Sequence, residues 1–218
     1  MQHHDVVILA NGQFPSSCGL LAMLSATPRL VCCDGAYARL VDAGVPLAVN
    51  AELYVTGDGD SLPQQLKDEL GSRFIKVDEQ DYNDLGKAFR LCCAHNWADI
   101  AILGATGLRE DHTLGNISYL ALYGSKHTAN GTPVKPVIYS DYGVMQPVYG
   151  RRQFPSHKGQ QISIFSLTPQ HPVSAQGLRY PLQQLLLTQW WMGTLNEALG
   201  DTFVVDAGQG SVILFTEY

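Results

Sequence analysis

Short apolar runs and longer amphipathic stretches alternate along the first half of the chain. Five runs are rich in apolar residues, as strands buried in a parallel sheet are: 5–10, 29–33, 52–56, 73–77 and 99–103. Each run is followed by a segment with apolar residues at helical spacing or with a helix-starting residue. Five alternations of strand and helix predict a Rossmann-like parallel α/β sheet covered by helices on both faces.

The pattern changes near residue 125. Residues 124–136 are rich in Gly, Ser, Thr, Asn and Pro, which is typical of a domain boundary. Six short strand-like runs separated by turns follow: 135–140, 144–149, 161–167, 172–176, 202–206 and 211–216. Only residues 181–191 are expected to hold a short helix. We therefore predict an α/β domain over residues 1–125 and a small all-β sandwich or barrel over residues 126–218.

Composition excludes several classes of protein. The chain has 218 residues and a net charge of −6, which argues against broad nucleic-acid binding. No apolar run approaches the roughly 20 residues that cross a bilayer, so no membrane association is expected. The five cysteines include two adjacent pairs and form no C-x-x-C motif. This pattern indicates buried thiols in a reduced, cytoplasmic protein.

Acidic residues collect in the loops that follow the predicted strands. Asp34 follows the second strand, Asp58 and Asp60 follow the third, and four more acids lie within residues 78–84. Loops at the carboxyl ends of parallel strands share one edge of the sheet, where ligands bind. So many carboxylates at one edge would repel one another unless a cation such as Mg²⁺ neutralised them. Taken alone, residues 57–61 are equally well explained as an acidic surface turn.

The loop after the fifth strand has the composition of a phosphate-binding loop. Gly104 and Gly107 allow close approach of the backbone, and Thr106 offers a hydroxyl. Arg109 carries a fork of donors suited to phosphate oxygens, and a helix N-terminus follows. The alternative is that Glu110 or Asp111 merely caps this helix while Arg109 is solvated.

One pair of residues and one histidine allow more than one interpretation. Asp84 and Lys87 share a helix face, where they could bind a cation and a phosphate or form an ordinary surface pair. His112 could act as a base or orient a neighbouring acid.

Together these loops resemble the thiamine pyrophosphokinase family. The family pattern runs D-G-A, G-D-x-D-S, Q-x-x-x-D-x-x-K-A and G-A-T-G-G-R-x-D-H-x-L-x-N. The chain carries the four motifs in this order and spacing at residues 34–36, 57–61, 80–88 and 104–116. Its last part is similar to the family's thiamine-binding domain through residues 177–180 and 196–197, so the resemblance covers nearly the whole chain.

The resemblance implies Mg²⁺-dependent transfer of a pyrophosphoryl group from ATP to the hydroxyl of thiamine, with release of AMP. By analogy, the implied metal ligands are Asp58, Asp60 and Asp84. Asp34 and Asp111 would orient or deprotonate the hydroxyl. The implied ATP ligands are Lys87, Gly104, Thr106, Gly107, Arg109 and Asn116. The implied thiamine ligands are Gln80, Asp81, Tyr180 and Asn196. The resemblance also implies a homodimer, with Tyr180 and Asn196 acting across the interface.

The chain departs from the family pattern at four positions. Gly59 stands where an apolar residue is common, and Leu108 replaces the second glycine of the G-G-R run. Asn83 and Tyr180 replace a common threonine and tryptophan. Because every expected acid is present, these departures bear on substrate fit more than on the chemistry.

Three other functions fit part of the sequence. A nucleotide-sugar transferase also uses a D-x-D pair, but the glycine-rich loop and the β-rich part argue against it. A pyrophosphokinase for another hydroxymethyl heterocycle, such as a pterin, fits more of the motifs. A binding module without activity is the third alternative, and the complete set of acids argues against it.

Overall fold

The structure, a computed structural model, describes residues 3–218 and divides into two compact units, 1–141 and 142–218. The first unit contains six strands: β1 (Val6–Leu9), β2 (Arg29–Cys33), β3 (Glu52–Gly57), β4 (Phe74–Lys76), β5 (Asp99–Leu103) and β6 (Lys135–Ser140). It also contains five helices: α1 (Cys18–Ala26), α2 (Ala36–Asp42), α3 (Gln64–Leu70), α4 (Asp84–Ala94) and α5 (Glu110–Gly124). All five predicted strands and the helices between them are confirmed.

The six strands form a parallel sheet in the order β4-β3-β2-β1-β5-β6. Val7 of β1 pairs with Leu30 of β2 on one side and with Ala101 of β5 on the other. Strands β2 to β4 are thus added on one side of β1, and β5 and β6 on the opposite side, so the order of the strands switches between β1 and β5. β1 is buried along its whole length, as expected for a strand covered on both faces. In such sheets, ligands bind at the carboxyl edge next to the reversal point.

Helix α4 packs against the sheet through the apolar stripe that its sequence predicts. Its buried residues include Leu85, Ala88, Phe89 and Cys92. The Phe89 ring is fully buried and stacks on Tyr123 of α5 with ring centroids 4.1 Å apart. Burial of such a ring contributes about 1.5–3 kcal/mol. This packing fixes the first turn of α4, which carries Asp84 and Lys87.

The boundary between the units lies later than the sequence predicts. The 135–140 run was assigned to the β-rich part, but it forms β6 and pairs with β5 in parallel. Its buried residues fit a strand inside a covered sheet as well as one in a sandwich, so the pattern alone could not separate the two.

The second unit is an antiparallel β structure with six strands: β7 (Gly143–Pro155), β8 (Gln161–Ser166), β9 (Val173–Gln176), β10 (Leu182–Leu185), β11 (Asn196–Glu197) and β12 (Thr202–Glu217). β12 pairs with β7 along its length, while its first half pairs with β9 and its second half with β8. One strand thus serves two ladders around a buried core that includes Ile162, Phe203 and Leu214.

Two details of this unit differ from the prediction. The runs 202–206 and 211–216 form one strand, since the chain passes through an irregularity between Asp206 and Ser211 with Gly208 at φ +57°. The short helix predicted at 181–191 is wrong: β10 and a 3₁₀ turn at Trp190–Gly193 occupy that segment. Pairing of Leu182 with Ala175 buries the leucine and outweighs a weak helical preference.

Candidate active site

Three carboxylates converge at the carboxyl edge of the parallel sheet, around Gly57 at the end of β3. A Cβ atom placed on Gly57 would lie 2.7 Å from Cβ of Asp34 and 3.2 Å from Oδ1 of Asp84. Gly57 therefore leaves the room that both acids occupy. The charge of Asp58 raises the pKa of both neighbouring acids, although burial is the larger cause of each increase. The predicted gathering of acids at this edge is present.

Asp34 is the most constrained of these acids. Its backbone lies in the left-handed region at φ 37°, which costs energy for any residue except glycine. Its side chain is buried, and Oδ2 accepts a hydrogen bond from the Ser61 N–H at 2.9 Å. Oδ1 is buried and has no hydrogen-bond partner among residues 3–218. A buried carboxylate oxygen without a partner destabilises the fold, so this position has the character of a ligand site.

Asp58 remains ionised most readily. Its Oδ1 accepts the Asp60 N–H at 3.0 Å, and this hydrogen bond is the main cause that lowers its pKa. The Gln80 side chain also donates to it, which lowers the pKa further. Gly59 lies between the two acids at φ +85°, and a Cβ there would be 2.9 Å from the Phe74 ring. The glycine at position 59, where the family commonly has an apolar residue, is therefore explained by the tight turn.

Lys87 is buried beside Asp84. Its Nζ lies 3.4 Å from Asp84 Oδ1, and only 3% of its side chain is exposed. Asn83 caps α4 by accepting the Gly86 N–H, and its Nδ2 donates to Asn116 Oδ1 at 3.2 Å. The interpretation of Asp84 and Lys87 as an ordinary surface pair does not hold, because a buried cation needs a partner that compensates its charge.

Asn116 connects this helix to the loop after β5. Its Nδ2 donates to the Ala105 carbonyl at 2.8 Å, and the side chain is buried. The same amide accepts from Asn83, so Asn116 holds the α4 N-terminus and the β5 loop together. The structure thus gives this predicted nucleotide ligand a positioning role.

The loop after β5 is closely packed against the loop after β1. Gly12 donates to the Gly104 carbonyl at 2.7 Å, and Gln13 donates to the Thr106 carbonyl at 2.8 Å. Gly104 and Gly107 adopt φ of +66° and +78°, which glycine reaches without strain. Because β1 and β5 are neighbours in the sheet, the loops that follow them meet and form a rigid, glycine-lined rim, as the phosphate-binding interpretation requires.

These elements enclose a cavity of about 350 Å³ in the first unit. Asp84 and Ser61 line one part of it, and Gly107, Leu108 and Arg109 line another. Two of its lining residues, Asn11 and Arg39, were not predicted as functional. Arg39 donates from Nη1 to the Gly12 carbonyl at 2.6 Å. The Asn-Gly break after the first strand was visible in the sequence, but the approach of α2 to that loop was not.

Arg109 and Asp111 form an exposed two-pronged ion pair. Nε lies 3.1 Å from Oδ1, and Nη2 lies 2.6 Å from Oδ2. This hydrogen bonding is the main cause that lowers the pKa of Asp111 to about 2. A carboxylate with so low a pKa is a weak base, so orientation of Arg109 suits Asp111 better than deprotonation of a hydroxyl. His112 lines the cavity next to this pair.

The remaining two predicted residues lie in the second unit. Tyr180 is 62% exposed, whereas Asn196 is buried. Asn196 accepts the Tyr180 N–H at 3.1 Å and donates to the Tyr180 carbonyl at 2.7 Å. Its Oδ1 also accepts the Glu197 N–H. The amide is thus used to hold the backbone of Tyr180, which leaves the tyrosine ring free to contact a ligand.

Comparison with known proteins assigns both parts of the chain to one family. A family model described as thiamin pyrophosphokinase, catalytic domain, matches residues 20–130. The chain belongs to the thiamin pyrophosphokinase family. A second model, thiamin pyrophosphokinase, substrate-binding domain, matches residues 143–215. The activity predicted from the motifs, ATP-dependent thiamine pyrophosphokinase, is therefore confirmed, and the pterin-kinase and sugar-transferase alternatives are not favoured.

Solved structures of thiamin pyrophosphokinases share this fold. The enzyme from Bacillus subtilis is 21% identical with a TM-score of 0.77, over 97% of this chain and 98% of that one. The Candida albicans enzyme is 18% identical with a TM-score of 0.79, over 99% and 89%. The yeast enzyme is 15% identical with a TM-score of 0.79, over 100% and 87%. A search of curated proteins finds no match.

Replacing Asp111 by asparagine tests its place in this thiamin pyrophosphokinase. We expect KM for ATP to rise several-fold, because Arg109 loses its partner, while the shape of the pH profile of kcat/KM above pH 5 stays unchanged. Asp111 is ionised throughout that range, since its pKa is about 2. Steady-state kinetics between pH 5 and 9 measure both quantities. A thousandfold loss of kcat with loss of the acidic limb would identify Asp111 as the base instead.

Asn196→Ala tests the positioning of Tyr180. Loss of its hydrogen bonds inside the second unit is expected to lower the free energy of unfolding by about 1 kcal/mol, because the part-buried N–H and carbonyl of Tyr180 lose their partner. Urea unfolding measures this change. Thr188→Ala is the control, since its exposed hydroxyl donates to the Met192 sulfur, which is a weak acceptor. Equal stability of the two variants would contradict the assignment.

Proposed function

We propose that this chain transfers the pyrophosphoryl group of ATP to the hydroxyethyl oxygen of thiamine in the cavity at the carboxyl edge of its parallel sheet. The observation that carries this assignment is the buried, unpartnered Oδ1 of Asp34 beside Asp58 and Asp84. The cluster needs a cation, and the adjoining glycine-lined rim with Arg109 suits phosphates. Together these features fit a nucleotide bound with its metal.

The donor set fits Mg²⁺. Its members offer only carboxylate oxygens, which hard cations prefer, and the Asp34 oxygen lacks any other partner. Within residues 3–218 no three His, Cys, Asp or Glu side chains already form a complete metal cluster. Such a cluster is not required, because Mg²⁺ is commonly held by one or two carboxylates together with substrate phosphates. Asp58, Asp84 and the exposed Asp60 would hold it here, with Asp34 beside them.

A bound Mg²⁺ would neutralise charge on the phosphates during transfer. The chain itself supplies position and further charge. Lys87 and Arg109 bind phosphate oxygens, and the backbone at 104–107 lies against the phosphate chain. Asp34, whose pKa is raised by burial, orients the thiamine hydroxyl and is the better proton acceptor of the two predicted acids. Most of the rate enhancement then comes from alignment of the hydroxyl with the β-phosphorus.

Each unit offers side chains whose chemistry suits a part of thiamine. Gln80 and the exposed Asp81 follow β4, and Gln80 lies next to Asp58, so its amide can contact the pyrimidine ring close to the cation. The thiazolium ring is cationic, and the exposed Tyr180 ring offers it an aromatic face.

Among residues 3–218 no helix is long and apolar enough to span a membrane.

The functional unit is a homodimer that forms through the second unit. Seven large apolar side chains in this segment are exposed: Tyr180, Leu185, Leu186, Trp190, Trp191, Leu195 and Leu199. So many exposed apolar side chains within residues 180–199 favour an interface. Sedimentation equilibrium is expected to give twice the mass of one chain, and the mass of a single chain at micromolar concentration would exclude the dimer.

The activity is tested by incubating the chain with ATP, Mg²⁺ and thiamine and separating the products by anion exchange. Equal amounts of AMP and thiamine diphosphate are expected. Formation of ADP, or of a product only with a pterin alcohol as acceptor, would contradict the proposal.

A further inference from the structure

Leu108 is a non-glycine residue in a backbone conformation that favours glycine. Its φ is +65°, and it directly follows Gly107 at φ +78°. The residues just before it are restrained, because the N–H groups of Gly12 and Gln13 donate to the carbonyls of Gly104 and Thr106. Leu108 thus has a strained backbone conformation at the end of a hydrogen-bonded loop. Strain of this kind persists at functional sites.

The side chain of Leu108 lies on the wall of the cavity with 62% of the residue exposed. On that wall it is flanked by Arg109 and His112, both of which suit phosphate oxygens. An apolar side chain placed against phosphate would remove water from the charge without replacing it. The part of ATP that an isobutyl group can cover favourably is the uncharged nucleoside next to the phosphates.

We propose that Leu108 is a specificity-determining residue that packs on the nucleoside of ATP. This inference rests on the proposed function, since it takes ATP as the ligand of the cavity. The strained conformation places the side chain over the cavity, and a glycine at this position would relieve the strain but lose the contact. Leu108 thus raises affinity for a nucleoside triphosphate over inorganic polyphosphate.

Binding without turnover tests the proposal. Calorimetric titrations with Mg²⁺ and without thiamine would use ATP and inorganic tripolyphosphate as separate ligands. Leu108→Gly and Leu108→Ala are expected to bind ATP about fivefold to tenfold more weakly, while affinity for tripolyphosphate stays within twofold. Arg109→Met is expected to weaken both ligands. Leu122→Ala is the matched control, because Leu122 is an exposed leucine of α5 that does not line the cavity.

Melting temperatures separate a binding role from a structural role. Leu108→Gly is expected to melt about 2–4 °C higher than the unaltered chain, because the strain is removed. Leu108→Ala keeps the strained backbone and should show no such increase. Unchanged ATP affinity in both variants, equal losses for ATP and tripolyphosphate, or a change in KM for thiamine alone would overturn the proposal. Failure of the unaltered chain to bind ATP would overturn the proposed function together with it.

Discussion

Replacing Asp58 by asparagine is expected to lower kcat at least about a thousandfold, which corresponds to about 4 kcal/mol of transition-state stabilisation. The pKa of Asp58 is lowered from its ordinary value, because the Asp60 N–H and the Gln80 side chain donate to its carboxylate. It therefore supplies a full negative charge to a cation at neutral pH. Asparagine has the same shape and still accepts the Asp60 N–H, so the turn at residues 57–61 should remain folded.

The decrease is measured as AMP released in the presence of thiamine, at several Mg²⁺ concentrations. Asp68→Asn is the matched control. Asp68 is an exposed acid of α3 whose carboxylate accepts a hydrogen bond from the Gln64 side chain. The control is expected to retain activity within twofold. Near-normal turnover by Asp58→Asn would remove Asp58 from the metal site.

Replacing Asp34 by asparagine is expected to change activity and stability in opposite directions. Turnover should decrease at least about a hundredfold, because an amide neither attracts a cation nor accepts the hydroxyl proton. The free energy of unfolding should rise, since burial and the charge of Asp58 both disfavour the ionised carboxylate, whose pKa is raised. The buried Oδ1 has no hydrogen bond that the substitution would remove.

Urea unfolding without Mg²⁺ and steady-state kinetics with Mg²⁺ measure the two effects. Asp5→Ala is the comparison, because Asp5 Oδ2 accepts the N–H groups of Ala98 and Asp99, each at 2.9 Å, and alanine removes this acceptor. That variant should lose about 1–2 kcal/mol of stability. If Asp34→Asn also loses stability, the carboxylate is a structural group and the cation site must be placed elsewhere.

The sequence predicted the first unit well because its signals are local. Each apolar run of the parallel sheet is bounded by a turn, and the acids that follow the strands must meet at one edge. The gathering of Asp34, Asp58 and Asp84 at this edge was therefore predictable, and their roles as ligands stay a prediction. The boundary near residue 125 was misplaced since β6 joins the sheet only through long-range pairing with β5.

Other features depend on contacts that no local pattern carries. The bridge from Asn83 through Asn116 to Ala105 joins three segments, and Arg39 reaches Gly12 from a different helix. The left-handed conformation of Leu108 was hidden, because leucine gives no signal for it. The helix predicted at 181–191 was wrong because the pairing of β10 with β9, a contact outside the segment, decides its structure.

The central claim is that a whole pyrophosphoryl group moves in one step at the carboxyl edge of the parallel sheet, where Asp34, Asp58 and Asp84 lie together and Asp84 lines the cavity. The most direct test uses ATP labelled at its β-phosphorus, with Mg²⁺ and thiamine. The label is expected in thiamine diphosphate, with unlabelled AMP as the other product, and neither should form with Asp58→Asn. Label retained in ADP, or equal transfer by the Asp58→Asn variant, would contradict the account.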